Sequence, residues 1–130
     1  MNVDRKRALL FACAFAAVSL PAEAVDRIQA GQWTGTWTGG GRTRNTSNCM
    51  TQADADALNG DANAIRTYLE KVIPASVCKV GNIKVNGGQV VYTSVCGGKE
   101  NVITTTYHGD SFESLDSGGA KSEAKRVGAC

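Results

Sequence analysis

Two cysteines, Cys78 and Cys96, bracket the run CKVGNIKVNGGQVVYTSVC, in which apolar and polar residues alternate on either side of Asn86-Gly87-Gly88. Alternation with a period of two is the pattern of a β-strand, and a centre of Asn and Gly is that of a hairpin turn. A three-residue turn, Asn86 to Gly88, sets Val85 opposite Gln89 and carries the register back until Cys78 falls directly across from Cys96. They then lie an odd number of residues from the closing pair. That is a close, non-hydrogen-bonded site, whose short β-carbon separation suits a disulfide. The register thus predicts a hairpin stapled by a Cys78–Cys96 bond.

A structural disulfide needs an oxidising compartment, and the N-terminus supplies the route to one. Arg5, Lys6 and Arg7 form a positive segment, Ala8 to Leu20 is a short apolar run, and Ala22-Glu23-Ala24 has the small-x-small form of a signal peptidase site. Residues 1–24 are read as a cleaved signal peptide, with the mature chain exported and starting near Val25. The apolar run is well short of the roughly 20 residues of a membrane-spanning helix. A lipoprotein-like site at Leu10-Phe11-Ala12-Cys13 would leave almost no apolar segment ahead of it. Neither a membrane anchor nor a lipid on Cys13 is expected.

Loss of the leader leaves Cys49, Cys78, Cys96 and Cys130. An even number in a short exported chain reads as a disulfide framework, because about a hundred residues, residues 25–130 here, form one domain with a small core. With Cys78 and Cys96 paired, Cys49 is left for Cys130, tying the last residue to the end of a second strand. Zinc sites use closely spaced pairs such as C-x₂₋₄-C, and redox sites use C-x-x-C; this chain has neither, so no metal is expected.

Every glycine follows the leader, and most of them punctuate short runs rich in Thr, Val, Ile and aromatic residues. Strands are expected at 33–38, 42–49, 78–85, 89–96, 100–107, 111–115 and 120–127, with connections short enough for hairpins. Alternation puts Trp33, Gly35 and Trp37 on one face with threonines opposite, and two tryptophans on the inner face of a small sheet are first of all core. Between Cys49 and Cys78 the period changes. Thr51 and Asp61 read as helix N-caps, and Asn59-Gly60 as a stop where glycine takes the left-handed conformation. Ile65, Tyr68, Leu69, Val72 and Ile73 form the apolar stripe of the second helix, which Pro74 closes. The fold class is mainly β (α+β): an antiparallel meander forming a curved sheet or small barrel, with a two-helix insert, disulfide-stapled.

The residues exclude more chemistry than they indicate. From Val25 onward eleven Lys and Arg face ten Asp and Glu, so no basic footprint for nucleic acid exists. Arg42-Thr43-Arg44 is read as a solvated strand face, and no further segment could span a membrane. His108, the one histidine, belongs to the turn Tyr107-His108-Gly109-Asp110 and reads as a polar turn residue, because adjacency to Asp110 and Ser111 is not the geometry of a triad. Asp54, Asp56, Asn59, Gly60 and Asp61 fail as a calcium loop: with Gly60 at the invariant glycine, Ala55 and Ala57 occupy ligand positions. Asn45-Thr46-Ser47 matches a glycosylation sequon of little weight. No nucleophile-base pair or cofactor loop can be assembled, so no catalytic residue, no cofactor and no enzymatic activity are expected.

Five segments in order, Ala30-Gly31-Gln32-Trp33, Cys49-Met50-Thr51, the Cys78 to Cys96 hairpin, Tyr107-His108-Gly109-Asp110-Ser111-Phe112 and Arg126-Val127-Gly128-Ala129-Cys130, carry a family resemblance. Over nearly the whole mature region the chain resembles the exported bacterial family of domain of unknown function 3617. The resemblance implies a periplasmic, β-rich, disulfide-containing domain of proteobacterial type, and no activity. The chain departs from the family in its polar, glycine-rich Gly39 to Asn48, where relatives often carry methionine and proline.

The expected function is therefore binding, by a monomer. A small or lipid-like ligand would need an apolar cavity lined by Trp33, Trp37, Tyr92 or Phe112. The alternative is a protein-directed module, such as an enzyme inhibitor or an envelope interaction partner, which would present the exposed polar loop Gly39 to Asn45.

Overall fold

Gly40 and Gly41 follow the first strand with φ of 56° and 75°, and Gly97 and Gly98 repeat the pair at 57° and 78°. Two successive positive φ values make the hairpin turn whose twist matches that of the strands, and only glycine adopts both without strain. The structure of the protein, a computed structural model, describes residues 26–130. The leader expected over residues 1–24, with Cys13 and the cleavage point before Val25, lies outside the described residues. Along the chain run β1 (Gly31–Gly39), β2 (Arg42–Met50), α1 (Gln52–Leu58), α2 (Ala62–Val72), β3 (Cys78–Asn86), β4 (Gln89–Cys96), β5 (Lys99–Tyr107), β6 (Ser111–Asp116) and β7 (Lys121–Gly128).

The strands form one antiparallel sheet in the order β2-β1-β7-β6-β5-β4-β3. Sequence neighbours pair from β3 to β7, as a meander requires. The sheet then joins its own beginning through β1 and β7. It does not close into a barrel, since β2 and β3 are its two edges and the chain crosses between them through the helices. Gly35 permits the β1–β7 contact. A β-carbon there would strike the Glu123 carbonyl and come within 2.7 Å of the Ala124 β-carbon.

The stapled hairpin holds by a different register from the one expected. Its turn is two residues, Gly87-Gly88, so Asn86 faces Gln89 and Val85 faces Val90. A bulge between Gly81 and Lys84 then sets Asn82 and Ile83 against Tyr92 alone, with Asn82 at φ 47°. The extra residue offsets the shorter turn. Cys78 therefore still meets Cys96, at a Cα separation of 4.2 Å. Cys49 pairs with Cys130 across 81 residues, with Cα atoms 5.6 Å apart. On loop entropy the two bonds stabilise the fold by roughly 4.5 and 3 kcal/mol, the longer loop contributing more.

The helices begin as expected. Thr51 Oγ1 accepts from the Asp54 N–H at 3.2 Å, and Asp61 Oδ1 accepts from the Ala64 N–H at 2.9 Å. The stop of α1 is different. Asn59 closes it at φ −85° and Gly60 is not left-handed; the Asn59 side chain is instead recruited by Ile28, accepting from its N–H and donating to its carbonyl, both at 2.9 Å. Glycine serves at 60 because a β-carbon would lie 2.8 Å from that of Ala64. On α2 only Ile65 and Leu69 are buried. Tyr68 and Val72 flank that stripe; tyrosine is long enough to reach back to the core, and Val72 stays 49% exposed.

Two apolar clusters result, one of Ile28, Trp33, Met50, Ala55 and Leu58 under α1, the other of Ile65, Leu69 and Val90 under α2, with Tyr68 and Tyr107 packed against both. Arg27 ties them together from inside. Its side chain is buried at 6% exposure. Nη1 donates to the Leu58 and Gly60 carbonyls at 3.0 and 2.9 Å, and Nε to the Gly87 carbonyl at 2.7 Å. The cation thus caps the negative end of α1 and clamps it to the β3–β4 turn.

Candidate functional site

Strand alternation assigns one face of the sheet to the helices and the residues paired with them. On β1 this face carries Trp33, Gly35 and Trp37; across β2 it carries Asn48, Thr46 and Arg44, and across β7 Arg126, Ala124 and Ser122. Phe112 and Ser114 of β6, Thr105 and Tyr107 of β5, and Val90 and Tyr92 of β4 continue it. The helices cover this face only in part. Where they end, an open cavity of about 490 Å³ remains. Its lining includes both Arg44 of β2 and Tyr92 of β4, which have four strands, β1, β7, β6 and β5, between them, so the sheet curls around it.

The cavity has three kinds of wall. Trp37, Tyr92, Tyr107 and Phe112 supply aromatic rings; Thr105, Ser114 and Ser122 supply hydroxyls between them; Arg44, Thr46 and Asn48 form the rim on β2. The Arg44 guanidinium sits 5.5 Å from the centre of the Trp37 ring, within cation–π range. Thr105 and Ser114 hydroxyls bond each other at 3.0 Å.

The tyrosines are held neutral. Burial pushes the Tyr107 phenol far above its ordinary value, the Tyr92 and Tyr68 phenols add to the shift, and Arg27 opposes it. Burial also raises Tyr92, with Tyr68 and Asp116 contributing. Near neutral pH these groups donate and accept hydrogen bonds and carry no charge.

A family model described as Protein of unknown function (DUF3617) matches residues 28–130, which contain every strand, both helices and both disulfides. The chain belongs to the DUF3617 family. No curated protein and no solved structure matches it.

Of the four residues expected to face a ligand, the DUF3617 fold brings Trp37, Tyr92 and Phe112 to the cavity and keeps Trp33 out of it. Trp33 is 1% exposed, donates from Nε1 to the Gln29 carbonyl at 2.9 Å, and packs on Phe112 with ring centres 5.7 Å apart. Phe112 has two roles, since its ring also lies 5.7 Å from that of Tyr107. Arg44 and Tyr107 were not among the expected ligand-facing residues. Arg44 could have been placed by counting back from the glycine turn, which pairs Gly39 with Arg42 and hence Trp37 with Arg44.

The opposite face of the sheet holds a wider depression of about 740 Å³, bordered by His108, Ser111, Glu113 and Lys125. His108 Nε2 lies 3.6 Å from Glu113 Oε1, with the side chains 53% and 56% exposed. Glu113 faces Glu123, which Lys121 meets at 2.9 Å. Despite its size this is an exposed, solvated sheet surface on the face opposite the helices. The aromatic rings converge on the other side. His108 remains a turn residue, its N–H donating to the Ser111 carbonyl at 2.9 Å. Among the described residues no group of three or more His, Cys, Asp or Glu could hold a metal ion, and no helix is long and apolar enough to cross a membrane. The residues weighed as a calcium loop are caps and struts: Asp61 caps α2, and Gln52 Nε2 donates to Asp56 Oδ1 at 2.8 Å.

Proposed function

We propose that this domain is a non-enzymatic binding module of the periplasm that holds a small ligand in the cavity between Trp37 and Tyr92. One observation carries the reading: the inner face stays uncovered over a stretch where four aromatic rings and several hydroxyls converge. Apolar walls with a few placed polar groups are what a small-molecule site needs. A binding role rather than catalysis is supported by the placement of His108 and Glu113 on the solvated outer face, away from the converging aromatic rings. Two disulfides and the leader pattern support the periplasm.

The test is to fill the cavity. Ser122→Trp should leave the circular dichroism spectrum unchanged and abolish binding of any compound that perturbs Trp37 in the parent protein. A compound bound equally well by both proteins would place the site elsewhere.

The protein-directed alternative is favoured by a separate observation, the difference between the two sheet edges. The β3 edge is broken by the bulge at Asn82 and shielded by α2, with Arg66 Nη1 donating to the Val80 carbonyl at 3.1 Å. The β2 edge runs nine residues with no bulge and no proline, an open template for strand addition. The loop expected at Gly39 to Asn45 is the tip of this hairpin. By the register, the Asn45 N–H points away from β1, so Asn45→Pro should abolish capture of a protein partner while leaving the sheet intact. A partner retained by that variant would remove the edge from consideration.

A further inference from the structure

Resting on the reading that the inner cavity is a binding site, we infer that its ligand is an acidic sugar: a pyranose ring carrying free hydroxyls and one carboxylate. Three features of the wall select that chemistry.

The first is the distribution of polar groups. Ser122, Thr46, Asn48 and the Tyr92 and Tyr107 hydroxyls line the cavity, and among the described residues none of these side chains hydrogen-bonds a protein partner; only Thr105 and Ser114 are satisfied by each other. An alkyl chain laid over them would displace their water and return nothing, at roughly 1–3 kcal/mol for each group left unpaired. A sugar hydroxyl both donates and accepts, so it can replace water group by group.

The second is the aromatic surface. A pyranose has one face of C–H bonds, which packs on a flat ring while its rim of hydroxyls stays available. Trp37, Tyr92, Tyr107 and Phe112 are all half-buried and line the cavity, Trp37 with the Arg44 guanidinium 5.5 Å from its ring centre. The cavity, at about 490 Å³, lies within the range of about 300–1,000 Å³ of small-molecule sites.

The third is charge. Arg44 brings a guanidinium to the rim and has no carboxylate partner among the described residues. From Gly31 to Met50 the β1–β2 hairpin contains no Asp or Glu. The acids nearby are engaged: Glu123 borders the cavity but pairs with Lys121, and Asp116 Oδ1 accepts from the Gly118 and Ala120 N–H groups at 2.7 and 3.1 Å. A ligand carboxylate would meet an uncontested planar donor, the geometry that favours arginine.

The experiment is a calorimetric and saturation-transfer NMR titration of the disulfide-bonded domain with D-glucuronate, D-glucose and dodecanoate. Glucuronate should bind at least about tenfold more tightly than glucose, the contribution of one charge-assisted contact. Arg44→Gln should erase that preference, Arg44→Lys should restore part of it, and Trp37→Ala should abolish binding of both sugars. No glucuronate binding, or glucuronate affinity unchanged in Arg44→Gln, would overturn the inference. Dodecanoate bound more tightly than glucuronate and lost in Ser122→Trp would overturn the sugar while leaving the cavity as a site. Glucuronate bound equally well by Ser122→Trp would overturn both.

Discussion

Trp33 and Trp37 stand four residues apart on the same face of β1 and finish in different environments. Trp33 is sealed beneath α1, hydrogen-bonded at its indole and packed on Phe112. Trp37 is half-buried under an arginine at the mouth of a cavity. Alternation decides which face a side chain joins; it does not decide what lies over that face. Here the cover is set by how far α1 and α2 reach, and that reach is fixed by Arg27 and Asn59, which tie the end of α1 to the segment just ahead of β1 and to the β3–β4 turn. The covered half builds stability, and the uncovered half is where we propose that the ligand binds.

The most forceful way to break this contrast is to truncate each tryptophan in turn. Trp33→Ala should lower the unfolding free energy by roughly 3–5 kcal/mol, as for a large aromatic removed from a core. Trp37→Ala should lower it by about 1 kcal/mol or less, because the site is open to water. Equal losses in urea denaturation would mean that both residues are core. Arg27→Ala comes next, at about 3 kcal/mol, since it leaves the Leu58, Gly60 and Gly87 carbonyls without their donor. It should also release α1, seen as faster hydrogen exchange there than in β4 and β5. Unchanged exchange would show that the clamp does not hold the cover.

A smaller effect belongs to pH. The folded state raises the pKa of Tyr107, and also of Tyr92 and Tyr68, above the ordinary 10.0, first by burial. An acid with a raised folded pKa contributes stability that is fully present below its unfolded pKa and lost as pH climbs toward the folded one. The domain should therefore weaken progressively above about pH 10, and Tyr107→Phe should flatten that decline. An identical alkaline profile in the two proteins would mean that Tyr107 is not sealed.

Much of the architecture was legible because its signals are local. Glycine pairs and alternating residues mark all seven strands to within two residues at each end, and Thr51 and Asp61 announce both helices. The Cys78–Cys96 pair was found despite an incorrect turn, because the bulge at Asn82 adds the residue that the shorter turn removes. What could not be read is non-local. The pairing of β1 with β7 joins residues at opposite ends of the domain, and its one trace in the sequence is a glycine between two tryptophans. Arg27 looks like a solvated charge beside Asp26, yet it is buried against three carbonyls. The aromatic wall was visible as residue types; the separation of Trp33 from Trp37 was not, because it depends on where the helices stop.

The sequence has two tryptophans, so the indole region of a ¹⁵N–¹H correlation spectrum should hold one signal from each half of the inner face. During titration with D-glucuronate the Trp37 indole signal should move and saturate while the Trp33 signal, held by the Gln29 carbonyl, stays fixed. A Trp33 signal that moves with Trp37, or two signals that both stay fixed, would contradict that expectation.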